Sequence, residues 1–238
     1  TAPGTSAGDI VSLATNITAA RTITIDTTSR TVGTLIIGDP VSPFNNYTLD
    51  ATGGAGLTFS NNGNGAKLVQ TNNTAASDTL SAPVTLADNL NVTNKATLTL
   101  SGGISGTGKG ITKTGTGTLV LSGANTYGGG TSINDGALQL GANDALPVAG
   151  AVVLGVSNTV GNLSLGTFSQ RIASLTAQGT SASLNAAVTV ASGQTLTING
   201  SGGLFVGIDS GANSTTKVTM SGGGALVVTN ASAYVTVG

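Results

Sequence analysis

The chain has 238 residues, 37 Gly, no Cys or His, and a net charge of −1 from eight Lys and Arg against nine acidic residues, all of them Asp. Near-neutrality excludes the basic footprint of a nucleic-acid or anionic-lipid binder, and the absence of Cys excludes a disulfide framework. A hydrophobic fraction of 39% argues against disorder, while an aromatic fraction of 3% argues against a core of large side chains.

Taken in order, Thr1–Gly8 is small and polar and reads as an irregular arm. Strand-like runs follow at Ile10–Leu13, Thr22–Ile25 and Thr31–Ile37, broken by Gly38-Asp39-Pro40. Tyr47–Asp50, Leu57–Ser60 and Lys67–Gln70 are three more, separated by Asn and Gly clusters. Then come Val84–Leu86, Leu90–Val92 and Ala96–Leu100, and later Ala151–Leu154, Asn162–Leu165, Ile172–Leu175, Ala187–Val190 and Thr195–Ile198. Lys217–Met220, Ala225–Thr229 and Ala233–Val237 close the chain. No window of helical length carries a 3.6-residue apolar stripe, and no apolar run approaches the roughly 18 residues of a spanning helix. The pattern predicts an all-β chain with no membrane insertion of this segment. The first basic residue is Arg21, so no charged signal region leads the sequence; a targeting peptide removed before Thr1 is the expectation.

Between these groups lies K-T-G-T-G-T-L-V-L-S-G-A-N-T-Y-G-G-G-T-S-I-N-D-G-A-L-Q-L-G, Lys113 to Gly141. Leu119 and Leu121 share one face of a short strand, Leu138 and Leu140 one face of another, and the equivalent leucines stand 19 residues apart. That interval is too long for a simple hairpin and suits one lap of a solenoid. The segments Gly115–Tyr127, Gly129–Thr131 and Gly136–Gly141 resemble the autotransporter-associated β-strand repeat of bacterial secreted passenger domains. The resemblance implies a right-handed parallel β-helix on a bacterial surface or outside the cell. It covers about an eighth of the chain, and no stretch here resembles the outer-membrane barrel that such proteins also carry.

Apolar-x-apolar triplets recur at Leu98–Leu100, Leu119–Leu121, Leu138–Leu140, Leu163–Leu165, Leu196–Ile198 and Val218–Met220, with steps of 21, 19, 25, 33 and 22 residues. One β-solenoid domain over residues 1–238, with coils of roughly 20 residues, is the reading; about ten or eleven coils would make a rod about 50 Å long. Narrow coils favour Leu, Val, Ile and Ala inside, Gly and Asn at corners, and Thr outside. The expected core ladder is Leu98, Leu100, Leu119, Leu121, Leu138, Leu140, Leu163, Leu165, Leu196 and Ile198.

Motifs for chemistry fail on their context. Gly103–Lys109 has phosphate-loop spacing, but Gly110 stands where Ser or Thr is needed and no helix follows. Gly4–Gly8 fits G-x-S-x-G with no His to act as base. The nine Asp are scattered singly, and Asp135 and Asp144, the nearest pair, lie in turns. Gly202–Asp209 only approaches a calcium nonapeptide. No catalytic, cofactor or metal residue is therefore expected, and the chain reads as a non-enzyme.

Solenoid ends that lack a polar cap present open strand edges. Ile10, Val11 and Leu13 at one end and Tyr234, Val235 and Val237 at the other are the expected assembly interface of a head-to-tail homopolymer. The first functional expectation is a structural subunit of a surface or secreted filament. The alternative is an autotransporter passenger acting as an adhesin or adhesin stalk, with surface glycans or a host surface as partner.

Overall fold

The computed structural model describes residues 4–71, 77–156, 159–177, 185–206, 217–230 and 235–237. Among them there is no helix, and every pairing between strands is parallel. The chain is a β-solenoid whose early coils have three faces. The first face begins with Ile10–Leu13, Thr34–Ile37, Ala66–Gln70, Leu90–Thr93 and Ile111–Thr114, one strand per coil. The second stacks Arg21–Ile25, Tyr47–Ala51, Ser77–Leu80, Thr97–Leu100, Thr118–Leu121 and Gly136–Leu140. Arg30–Val32, Leu57–Phe59, Val84–Leu86 and Ile104–Ser105 form the third.

Side chains alternate in and out along each strand, so parallel register turns alternation into columns. On the second face Leu98, Leu119, Leu138, Leu163 and Val188 lie rung on rung, each at most 1% exposed. Leu100, Leu121 and Leu140 form the parallel column, and Leu165 is buried as well. Leu196 and Ile198 are buried too, but in the sheet that continues the first face, between Gln170–Ile172 and Leu226–Val228. The ladder read from the triplets thus divides here: the rung above Leu163 is Val188, and above that Met220. Gln170–Ala177 and Thr195–Val206 are long strands that run the third-face and first-face positions together through an irregularity between Ile172 and Ser174. That merger moves Leu196 off the expected face.

Coil length is regular only in the middle. From Lys67 to Asn91, Thr112, Ser132 and Val153 the first-face steps are 24, 21, 20 and 21 residues. From Thr34 to Lys67 the step is 33, and from Leu196 to Leu226 it is 30. Part of the long early step is the excursion at residues 38–46. Buried Asp39 organises it, accepting hydrogen bonds from Val41 N and Asn45 N at 3.1 Å each.

The corners explain the glycine. Gly115 and Gly136 turn from the first face to the second with φ of +81° and +67°. A Cβ on Gly115 would stand 2.5 Å from the carbonyl oxygen of Asn94, and one on Gly136 would collide with the carbonyl oxygen of Gly115. Corners stacked this closely leave no room for a side chain.

From residue 4 on, the segment read as an arm is laid against the coils. Thr5 bridges Thr31, Thr31 N donates to Gly4 O at 2.8 Å, and Gly8 N donates to Ser60 O at 2.8 Å. A sheet edge offers unpaired backbone groups, and an extended polar segment satisfies them.

Candidate functional site

Residues 111–140 form about one and a half coils through the regular centre. Ile111–Thr114 and Thr131–Ile133 lie on the first face, Thr118–Leu121 and Gly136–Leu140 on the second. Between them Asn125 clamps three coils together. Its Oδ1 accepts from Ile104 N at 2.9 Å, and its Nδ2 donates to Ala145 O at 2.6 Å. Tyr127 fills the third corner, fully buried, with its hydroxyl 2.7 Å from Thr131 Oγ1. Burial pushes the Tyr127 phenol well up, so it stays neutral.

Lys113 is the unexpected residue. It occupies an inward position in the column Leu68, Val92, Lys113, Ile133, Leu154 and is 0% exposed. Its ammonium donates to three carbonyl oxygens, those of Thr114 at 3.0 Å, Gly115 at 2.5 Å and Asp135 at 3.1 Å. The first two belong to its own corner and the third to the corner above, so the side chain ties consecutive coils from inside. Burial pulls the Lys113 pKa down to about 8, against the opposing pull of the Asp135 carboxylate. Two buried oxygens nearby in sequence register, Asn94 Oδ1 and Asn134 Oδ1, accept no hydrogen bond among the described residues. Alternation in I-T-K-T already puts Lys113 on the face of Ile111; that signal was legible and its charge masked it.

The carboxylates serve the backbone. Asp78, buried, accepts from Tyr47 N at 2.7 Å and from Gln70 Nε2 at 2.8 Å. Asp88 accepts from Asn61 N at 2.6 Å and Gly63 N at 3.2 Å, and those bonds hold its carboxyl below the usual range. For Asp39, burial alone would raise the pKa, but its several hydrogen bonds prevail and lower it. Asp135 Oδ1 takes the amide of Gly136 at 2.7 Å. Among the described residues no three His, Cys, Asp or Glu gather as a metal site. Asp209, and with it the calcium-like stretch, lies outside the described residues from position 207.

Asp144 differs. Held at φ +49°, it grips Arg171 of the coil above through Arg171 N at 2.8 Å, Nε at 3.0 Å and Nη2 at 2.7 Å. The hydrogen bonds and charge of Asp144 raise the Arg171 pKa further. The two residues are 27 apart in sequence, and their meeting depends on a register that spacing alone did not give.

At the N-terminal end Ile10 is 69% exposed, while Val11 and Leu13 are partly buried along an apolar opening of about 210 Å³ shared with Ile23 and Leu35. Ile10–Leu13 pairs with Thr34–Ile37 alone among the described residues. Val235 and Val237 lie in a strand paired to Leu204–Val206; their side chains, and all of Tyr234, are outside what is described.

Comparison with known proteins adds to this geometry. Residues 111–140 match the family model described as the passenger-associated-transport-repeat. Over 92 residues the chain is 42% identical to the adhesin BmaC autotransporter of Brucella suis biovar 1 (strain 1330). That stretch covers 38% of this chain and 3% of the relative's length. No solved structure matches the chain.

Proposed function

We propose that this chain, which carries a passenger-associated-transport-repeat of the autotransporter kind at residues 111–140, is a stretch of passenger β-solenoid that holds or presents adhesive surface outside a bacterial cell. The observation that carries the reading is that the repeat is continuous with the coils on both sides of it. Asn91 stacks on Thr112, Thr112 on Ser132 and Ser132 on Val153 without a break in register. The role is non-enzymatic. A relative named an adhesin and carboxylates committed to backbone amides both favour presentation over catalysis. Stacked coils make a stiff stalk, since each rung adds about 4.8 Å and every coil is hydrogen-bonded to its neighbours.

The head-to-tail filament draws on Ile10–Leu13 and on the strand that ends at Val237, and takes second place because both comparisons favour a passenger. The test is display of the chain through an outer-membrane anchor on a non-adherent bacterium. Retention on host cells or on a glycan-coated surface above that of the anchor alone is expected. Retention equal to the anchor's, together with long uniform fibres of the purified chain by electron microscopy, would overturn the reading and restore the filament.

A further inference from the structure

Where the coils at Asp144, Arg171 and Thr195 meet, the surface folds into a cleft of about 430 Å³. Its wall has no aromatic and no exposed aliphatic side chain: Asn143, Ser169, Arg171, Gln194, Thr195 and Thr197 are all polar. A volume of that size lies within the usual range for small-ligand pockets, about 300–1,000 Å³.

The hydrogen bonds inside the wall consume acceptors and leave donors. Asn143 Oδ1 accepts from Ser169 N at 2.8 Å, which fixes the amide and points Nδ2 away. Ser169 Oγ accepts from Thr195 N at 3.1 Å and donates to Gln194 Oε1 at 3.1 Å, which fixes the second amide. The Asp144 carboxylate is occupied by Arg171 N, Nε and Nη2. Among the described residues nothing takes the hydrogens on Arg171 Nη1, Asn143 Nδ2 or Gln194 Nε2. Three planar groups in the lining, each held on one side by a partner, thus keep N–H donors to spare.

The electrostatics narrow the partner. Asp144 offsets the charge of Arg171, so the cleft is donor-rich and close to neutral. A free carboxylate or phosphate gains little net attraction there, and the apolar part of the wall comes from the carbon atoms of polar residues, not from aliphatic or aromatic side chains. Vicinal hydroxyls of a pyranose ring offer adjacent acceptor oxygens that a guanidinium or amide edge bridges in pairs, and the Thr195 and Thr197 hydroxyls give or take the rest. We infer that this cleft, on the corner where three successive coils place Asn143, Arg171 and the half-buried Gln194, is a binding site for a neutral saccharide. The inference deepens the adhesive reading above and rests on it for the cleft's biological role, but its chemistry stands on the cleft alone.

The test is saturation-transfer NMR of the full chain with D-mannose, D-galactose, N-acetyl-D-glucosamine and their short oligomers, with sialyllactose as the acidic counterpart. Transfer to at least one neutral probe, insensitive to salt, is expected. Arg171→Lys and Gln194→Ala would each weaken it about tenfold or more, the loss of one good hydrogen bond to a charged or fixed group. Thr99→Ala on the second face would leave it unchanged. Circular dichroism would show that the variants keep their sheet content. No transfer to any neutral probe, preference for sialyllactose that fades with salt, or equal binding by the cleft variants would each overturn the assignment. The displayed chain separates the two readings. Retention preserved in Arg171→Lys with sugar binding lost leaves the passenger standing and removes the cleft from adhesion. Sugar binding without any retention does the reverse.

Discussion

Lys113 is charged in water and enclosed in the fold, so its protonation is coupled to folding. The folded pKa is about 8 and the unfolded reference 10.5, so between these values the unfolded chain holds more protons. Stability therefore rises with pH across that window and levels off above it. The effect is at most about 3 kcal/mol at the exchange rate of about 1.4 kcal/mol per pKa unit. Urea unfolding of the wild type and of Lys113→Met from neutral pH to pH 11 checks this. The difference between the two should vary through the window, and parallel curves would show that Lys113 does not titrate with folding. Lys113→Met also leaves the carbonyls of Thr114, Gly115 and Asp135 short of a donor, which lowers its baseline by about 1–3 kcal/mol per unsatisfied group. Gly136→Ala is a second residue-scale test: positive φ and the carbonyl of Gly115 both oppose a side chain, so a loss of about 1–3 kcal/mol is expected from calorimetry. Residues of this kind divide by legibility. Gly136 could be read from its place in a turn and Lys113 from alternation. Arg171 and Asp144 could not be paired, because their contact is created by stacking.

Among the elements, burial is set by the column a side chain joins. Leu119 stands fully buried between Leu98 and Leu138. Leu119→Ala should cost about 2–5 kcal/mol, since rungs above and below are held by backbone bonds and cannot collapse into the void. Leu226 is only partly buried, packed on one side against the core, and Leu226→Ala should cost distinctly less. Denaturant midpoints of the two variants decide it; equal losses would mean that the columns are not the unit of stability. Most strands were legible because apolar alternation between Gly and Asn turns has few other readings. Strand pairing was legible on the second face, where the triplets at Leu98, Leu119, Leu138 and Leu163 stack in register. Beyond Leu163 the triplets follow the first face and the second by turns, and spacing does not tell a leucine of one face from a leucine of another.

For the whole molecule, each coil touches chiefly the coil before and the coil after, so stability is a sum of neighbour terms. Hydrogen exchange should be slowest over residues 90–154 and faster toward both ends; uniform protection would indicate a single cooperative unit instead. The same logic allows whole coils to be removed. Deleting residues 112–131, one 20-residue step, joins Ile111 to Ser132 and lets Asn91 meet Ser132 in the register that Thr112 held. Sheet content by circular dichroism and monomeric solubility should survive that deletion. Deleting 112–121, half a step, should abolish both, because the strands beyond the cut would reach the corners half a coil out of step with those before it.

The excursion at residues 38–46 carries a lesson about history. Nine residues leave the stack at a corner where later coils use two or three, close on Asp39 and Asn45, and rejoin it at Tyr47, in register with Arg21. Insertions at corners are therefore nearly invisible to selection on folding, while a single inserted residue within a rung is not. A lineage built on this plan is free to vary in length by coils and in surface by corner loops, and natural variants should differ most where the chain turns and least where it stacks.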